Sequence, residues 1–207
     1  MSIFVSAPAL RRLISAAAFA CVFTALPGLV RAQDEVTAEA TTPAAPDKPI
    51  SAGLFLGFGT DLGEDFNPWG FGFGVRGGYN LNQIYLGARF LYHLGSSYGS
   101  GLTEFSTNLW ELSLEGGYDL LVADRLTVRP SLGLGIINFI TSTDNDALGI
   151  TGSPSSSDAK LLLAPGVTLL YDVTPDIFVG GELRLPLALG GGSVVGLNIY
   201  ATGGMRF

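Results

Sequence analysis

The sequence predicts an all-β chain of eight antiparallel strands, closed up-and-down into a transmembrane barrel. Three observations predict it. Glycine supplies 29 of the 207 residues, with no collagen-like period, and each interior glycine costs a helix roughly 1 kcal/mol relative to alanine, which argues against a helical bundle. From Ile50 onward, apolar residues recur at every second position in long runs between turn signals, a strand period at membrane-strand length. Finally, the charged residues of those runs gather on the face opposite the apolar one.

Residues 1–32 read as a secretory signal peptide. Arg11 and Arg12 form its basic region and Leu13 to Leu26 its apolar region; Pro27-Gly28 break the run, and Val30-Arg31-Ala32 carries small residues where cleavage after Ala32 is expected. Cys21 lies in the apolar region and reads as an ordinary member of it. Residues 33–49 are rich in Ala, Thr and Pro, acidic, and without a periodic apolar face, so a disordered linker is expected there. The barrel domain follows as residues 50–207.

Its first strand is Ile50 to Asp61. In Trp69 to Asn80 one face carries Trp69, Phe71, Phe73, Val75 and Tyr79, and the other Gly70, Gly72, Gly74, Arg76, Gly78 and Asn80. Gln83 to Leu94 sets Ile84, Leu86, Phe90 and Tyr92 against Tyr85, Gly87, Arg89 and His93. Phe105 to Leu121 sets Trp110, Leu112, Leu114 and Tyr118 against Glu111, Ser113, Glu115 and Asp119. Leu126 to Thr141, Ala159 to Asp172, Ile177 to Leu189 and Val194 to Phe207 repeat the division, with Arg129, Lys160, Glu182, Arg184 and Arg206 on the polar face.

The charges decide which face looks inward. A soluble barrel encloses its apolar face; a membrane barrel exposes it to lipid. Here Arg76, Arg89, Glu111, Glu115, Asp119, Arg129, Lys160, Glu182, Arg184 and Arg206 share the glycine-rich face, where opposite signs can pair across a narrow lumen. Aromatics on the apolar face fall in two groups: Phe58, Trp69, Tyr92 and Trp110 at one set of strand ends, Tyr79, Tyr118, Tyr171 and Phe207 at the other. Two such girdles are expected at the two interfaces of a membrane. The connections Leu62 to Pro68, Gly95 to Glu104, Ser142 to Asp158 and Gly190 to Ser193 alternate with three tight turns. An even strand count then places both termini on the turn side, which would be periplasmic.

Other classes find little support. A formal net charge of −7 disfavours a phosphate-tracking nucleic-acid binder. One Cys and one His exclude a disulfide framework and a multi-histidine metal site, and no cofactor is expected. Gly72 to Gly77 matches GxGxxG, but a dinucleotide fingerprint opens a helix, whereas here the strand pattern continues through it.

These residues resemble the small outer-membrane barrels of Gram-negative bacteria, the class of the OmpA transmembrane domain and OmpX. The resemblance covers Ile50 to Phe207 and rests on architecture rather than on one contiguous motif. It implies a cell outer-membrane location, contact with lipid and lipopolysaccharide, and a C-terminal signal at Met205 and Phe207 for the barrel-assembly machinery, although Thr202 stands where the family usually has glycine. A peptidoglycan-binding domain is not expected.

Three functions compete. The first is a structural or interaction barrel, non-enzymatic, whose lumen is plugged by charged side chains and whose external loops make contacts with an unidentified ligand. A narrow ion or small-solute channel is the second, using the same charges as a path. The third is a lipid A-modifying enzyme, for which His93 is the one candidate base, with Ser96 and Ser97 nearby but without the His-x-Ser spacing of the deacylases. The longest loop, Ser142 to Asp158, holds Asp144 and Asp146 and the Ser-rich run Ser153 to Ser157, and is the expected recognition surface. The two aspartates lack the full calcium-loop pattern.

Overall fold

The computed structural model describes residues 48–63, 67–99, 103–145, 155–190 and 192–207. The expected signal peptide and most of the expected linker lie outside the described residues.

Ten strands follow one another: β1 (Ile50–Asp61), β2 (Phe71–Leu81), β3 (Ile84–Gly99), β4 (Thr103–Tyr118), β5 (Leu120–Ala123), β6 (Leu126–Asn145), β7 (Ser155–Asp172), β8 (Ile177–Arg184), β9 (Leu187–Leu189) and β10 (Val194–Arg206). β5 prolongs β4 past Asp119, and β9 prolongs β8 past Leu185-Pro186, so the ten form eight staves. Each stave pairs antiparallel with the next. The first also pairs with the last, from Ser51 opposite Arg206 to Asp61 opposite Gly196, so no edge is left along the wall. The tight turns use the expected chemistry. Asn82 takes a left-handed φ of 56° between β2 and β3, a conformation asparagine tolerates, and the Thr174 hydroxyl accepts from the Asp176 and Ile177 amides at 3.3 and 3.0 Å between β7 and β8.

The faces divide as the alternation requires. Leu54, Leu56, Leu86, Leu112, Leu134, Leu169, Leu183 and Ile199 point outward, with Leu114 reaching 71% exposure. Arg76, Arg89, Glu111, Glu115, Arg129, Glu182 and Arg184 point inward and are buried. Polar inside and apolar outside is the arrangement of a sheet solvated by lipid.

Two expectations about the connections are corrected. Much of Gly95 to Glu104 and of Ser142 to Asp158 is not loop: the β3–β4 ladder continues to Gly99 opposite Glu104, and β6–β7 continues to Ser142 opposite Ser155. Asp144 accordingly belongs to β6, while Asp146 and Ser153 lie outside the described residues. Consequently β3, β4, β6 and β7, at 16, 16, 20 and 18 residues, outreach β1 and β2 at 12 and 11. These extensions are rich in Ser and Thr. Their sequence carries no sustained apolar alternation, so the period that marks the wall is silent beyond it.

Candidate functional site

The interior is the candidate site, because β-strand alternation sends ten charged residues towards it, and four layers can be followed from the turn end to the loop end. At the turn end, Arg129 on β6 grips Asp119 through Nε–Oδ1 at 2.5 Å and Nη2–Oδ2 at 2.7 Å. It also donates to Asn80 Oδ1 at 3.2 Å and lies 3.8 Å over the Tyr85 ring. Arg206 pairs with Asp172 at 2.7 Å near the same end.

The second layer is the densest. Arg89 on β3 meets Glu182 on β8 with two parallel bonds, Nη1–Oε1 at 2.5 Å and Nη2–Oε2 at 2.7 Å, the fork geometry that makes arginine–carboxylate pairs strong. Its Nε lies 2.8 Å from Glu115 Oε1. Arg76 approaches the same Glu182 at 3.8 Å, and Thr168 donates to it at 3.0 Å. Arg184 pairs with Glu111 and donates to Ser113 at 3.2 Å. Arg76 Nη2 and Glu111 Oε2 have no hydrogen-bond partner. Across the first two layers, five guanidiniums thus face five carboxylates. Lys160 stands apart, near the loop end, 3.5 Å from Asp158 and donating to the Gly192 carbonyl at 2.7 Å.

The third layer contains His93, the candidate base on the polar face of its strand, which is fully buried. Its Nδ1 donates to the Trp69 carbonyl at 2.5 Å. In the neutral ring, Nε2 then accepts from the Tyr200 hydroxyl at 3.0 Å, which accepts in turn from Asn198 Nδ2 at 2.8 Å. Both ring nitrogens are therefore engaged by groups other than a serine or a carboxylate. Ser96 belongs to β3 and donates its amide to the Asn67 carbonyl at 3.0 Å.

The fourth layer was not expected. Trp69, assigned by alternation to the outer girdle, has no exposed surface. It precedes β2, and Gly70, at φ 32°, breaks the extended parity that would have carried it outward. Asn67 fixes this stretch: its Oδ1 accepts from the Asp61 and Trp69 amides, both at 3.1 Å, and its Nδ2 donates to the Gly59 carbonyl at 2.8 Å. The indole packs with Leu109, Ile137, Leu162, Ala164 and Ala188, and Phe139 and Val194 lie against the cluster. Glycines make room for it. A Cβ on Gly196 would lie 2.5 Å from Trp69 Cε2, and one on Gly59 2.7 Å from Trp69 Cβ. The motif-like stretch Gly72 to Gly77 serves the same end within β2, since a Cβ on Gly72 would lie 2.7 Å from the His93 ring.

The other aromatics expected in the girdles lie on the outer face. Phe58, Tyr79, Tyr118, Tyr171 and Phe207 are exposed, and Tyr92 and Trp110, half-buried, stand opposite each other in the β3–β4 ladder. Met205 is exposed beside them at the turn end, opposite Ala52, and the Phe207 amide donates to the Ile50 carbonyl at 2.8 Å. Among the described residues, no group of three or more His, Cys, Asp or Glu is placed to hold a metal.

Solved structures share this fold at low sequence identity. Neisserial surface protein A superposes with a TM-score of 0.55 at 18% identity, covering 76% of this chain and 96% of that one. A major outer membrane protein from Thermus thermophilus gives 0.54 at 15%, covering 78% and 100%. The attachment invasion locus protein Ail of Yersinia pestis, solved with the heparin analogue sucrose octasulfate, gives 0.50 at 17%, covering 77% and 97%. No curated protein matches the sequence. The model of the outer membrane protein beta-barrel domain, however, matches residues 23–207, and with the closed eight-stave wall and its lipid-facing apolar surface, this chain belongs to that family of outer-membrane barrels.

Proposed function

We propose that the protein is a non-enzymatic scaffold of the outer membrane, its lumen plugged and its loop end offered for contacts outside the cell. The observation that carries this reading is the filled interior, with paired charges in two layers and a closed apolar layer above them. An eight-stranded barrel is only wide enough for its side chains to fill. The prolonged β3–β4 and β6–β7 hairpins support the second half, since they raise a polar sheet above the lipid-facing wall. In this reading both termini are periplasmic, the lipid and lipopolysaccharide of the outer membrane surround the wall between the aromatic bands, and Met205 and Phe207 serve the assembly machinery.

A narrow channel is the second reading, favoured by Arg76 Nη2 and Glu111 Oε2, which lack partners and leave the network free to exchange pairs. Planar-bilayer conductance of the detergent-purified protein separates the two, once a boiling-dependent gel shift has verified the folded barrel. Silence is expected. Discrete, reproducible steps would replace the scaffold with the channel.

A further inference from the structure

We infer that ion passage through this barrel is blocked at the Trp69 layer, not at the lumenal ion pairs, so that a latent polar path ends against an apolar cork. The inference rests on the plugged-lumen reading and assigns the plug to particular residues.

The layers differ in what each offers a permeating ion. From Asp119 to Asn198, every layer presents charged or hydrogen-bonding groups, even beside the smaller Phe55, Leu91 and Tyr200 cluster, where Arg76 and Arg89 lie over the Phe55 ring and the Tyr200 hydroxyl bonds His93, and such groups can replace part of an ion's hydration shell. The pairs there also have alternatives. Glu182 is shared by Arg89 and Arg76, Arg89 is shared by Glu182 and Glu115, and both Arg76 and Glu111 keep an unpartnered atom. A network with spare partners can let an ion exchange with it.

The fourth layer offers nothing of the kind. Leu109 from β4, Ile137 from β6, Leu162 and Ala164 from β7 and Ala188 from β9 surround the indole, while Gly59 and Gly196 bring the β1 and β10 backbones against it. Six staves thus contribute to one apolar plane. The single polar atom of the ring, Nε1, is buried without a protein partner. Apolar constrictions stop ions by excluding the water that would accompany them.

The cork is also separable from the wall. It is one side chain on the connection between β1 and β2, held by Asn67 and by the His93 bond to its carbonyl, and no strand pairing passes through it. Its removal therefore opens the layer while leaving the ladders in place.

The test is bilayer conductance of the whole protein and four variants, each first shown to fold by the boiling-dependent gel shift. Trp69→Ala is expected to give discrete steps at least about tenfold above the wild-type baseline, whereas Trp69→Phe stays silent. Ile137→Ser, which wets the same plane from the opposite wall, is expected to conduct even if Trp69→Ala fails to fold. The paired change Glu111→Gln with Arg184→Gln is expected to remain silent. A silent wild type, with silent Trp69→Ala and Ile137→Ser but a conducting Glu111→Gln/Arg184→Gln variant, would place the block at the ion pairs and overturn the inference alone. A conducting wild type would overturn the plugged-lumen reading itself.

Discussion

The lower and upper parts of the lumen fill one barrel by two kinds of physics. Below, the filling is electrostatic: Arg89 with Glu182 and Arg184 with Glu111 reach across the interior, while Arg129 with Asp119 and Arg89 with Glu115 join neighbouring staves. Above, it is steric, an indole seated on two glycines among aliphatic side chains. The difference teaches that the two parts should fail differently. A charged layer suffers when one partner is lost and the other is stranded; a packed layer suffers when volume changes by as little as a methyl group.

The largest effect is therefore expected at Glu182, whose carboxylate serves Arg89, Arg76 and Thr168 in a site only 1% exposed. Glu182→Ala should destabilise the folded barrel by about 3–5 kcal/mol, because two guanidiniums lose their shared anion in a medium that cannot hydrate them. Urea unfolding in lipid vesicles, followed by tryptophan fluorescence, measures this. Adding Arg76→Leu to Glu182→Leu should recover most of the loss, since Arg89 keeps Glu115 and the interior is again neutral. Were the double variant as unstable as the single, charge balance would not be what holds this layer.

The sequence already showed the electrostatic half of this comparison and not the steric half, and the reason is physical. Period-2 alternation is enforced wherever one face meets lipid and the other a filled lumen, so Arg76, Arg89, Glu111, Glu115, Arg129, Glu182 and Arg184 are assigned inward by parity alone. Which of them pair is set by register and shear, which parity does not contain; hence Arg89 with Glu182, 93 residues apart, is a structural result. Trp69 was misread because parity was extended two residues beyond the strand, through Gly70 at φ 32°. The adjacent Asn67-Pro68 and Gly70 are turn signals, and given their due weight they stop the strand at Phe71. Parity places His93 on the correct face, but nothing in the pattern announces that Trp69 packs against it. The extended hairpins escape for a different reason: their Ser- and Thr-rich sequence carries no apolar alternation to read.

A smaller effect tests the steric half. Gly196→Ala puts a methyl group where Trp69 Cε2 would be 2.5 Å away and Nε1 2.7 Å away, closer than real contacts allow, and the ring is enclosed on its other sides by Leu109, Ile137 and Leu162. Overpacking of this kind should cost roughly 1–3 kcal/mol in the same unfolding measurement. In a Trp69→Leu background the same substitution should cost much less, giving a coupling between the two positions that a mere change of strand propensity at residue 196 would not produce. Additive losses would mean that the glycine serves the β10 backbone rather than the cork.

The smallest effect sets the scale for the charged half. Lys48 and Asp176 form a pair at 2.6 Å, as short as those in the lumen, but their side chains are 44% and 48% exposed. Water and salt screen such a pair, and each group remains hydrated when the other is lost, so Lys48→Ala should change stability by less than about 1 kcal/mol, with the difference shrinking further in high salt. The contrast with Glu182→Ala is then a contrast of burial at nearly constant geometry. If the two substitutions cost the same, the weight given to the lumenal pairs cannot come from their exclusion from water, and the electrostatic filling of the lower lumen loses its physical basis. If they separate as expected, the polar layers owe their tightness to the wall that surrounds them, just as the indole owes its seat to the glycines of β1 and β10.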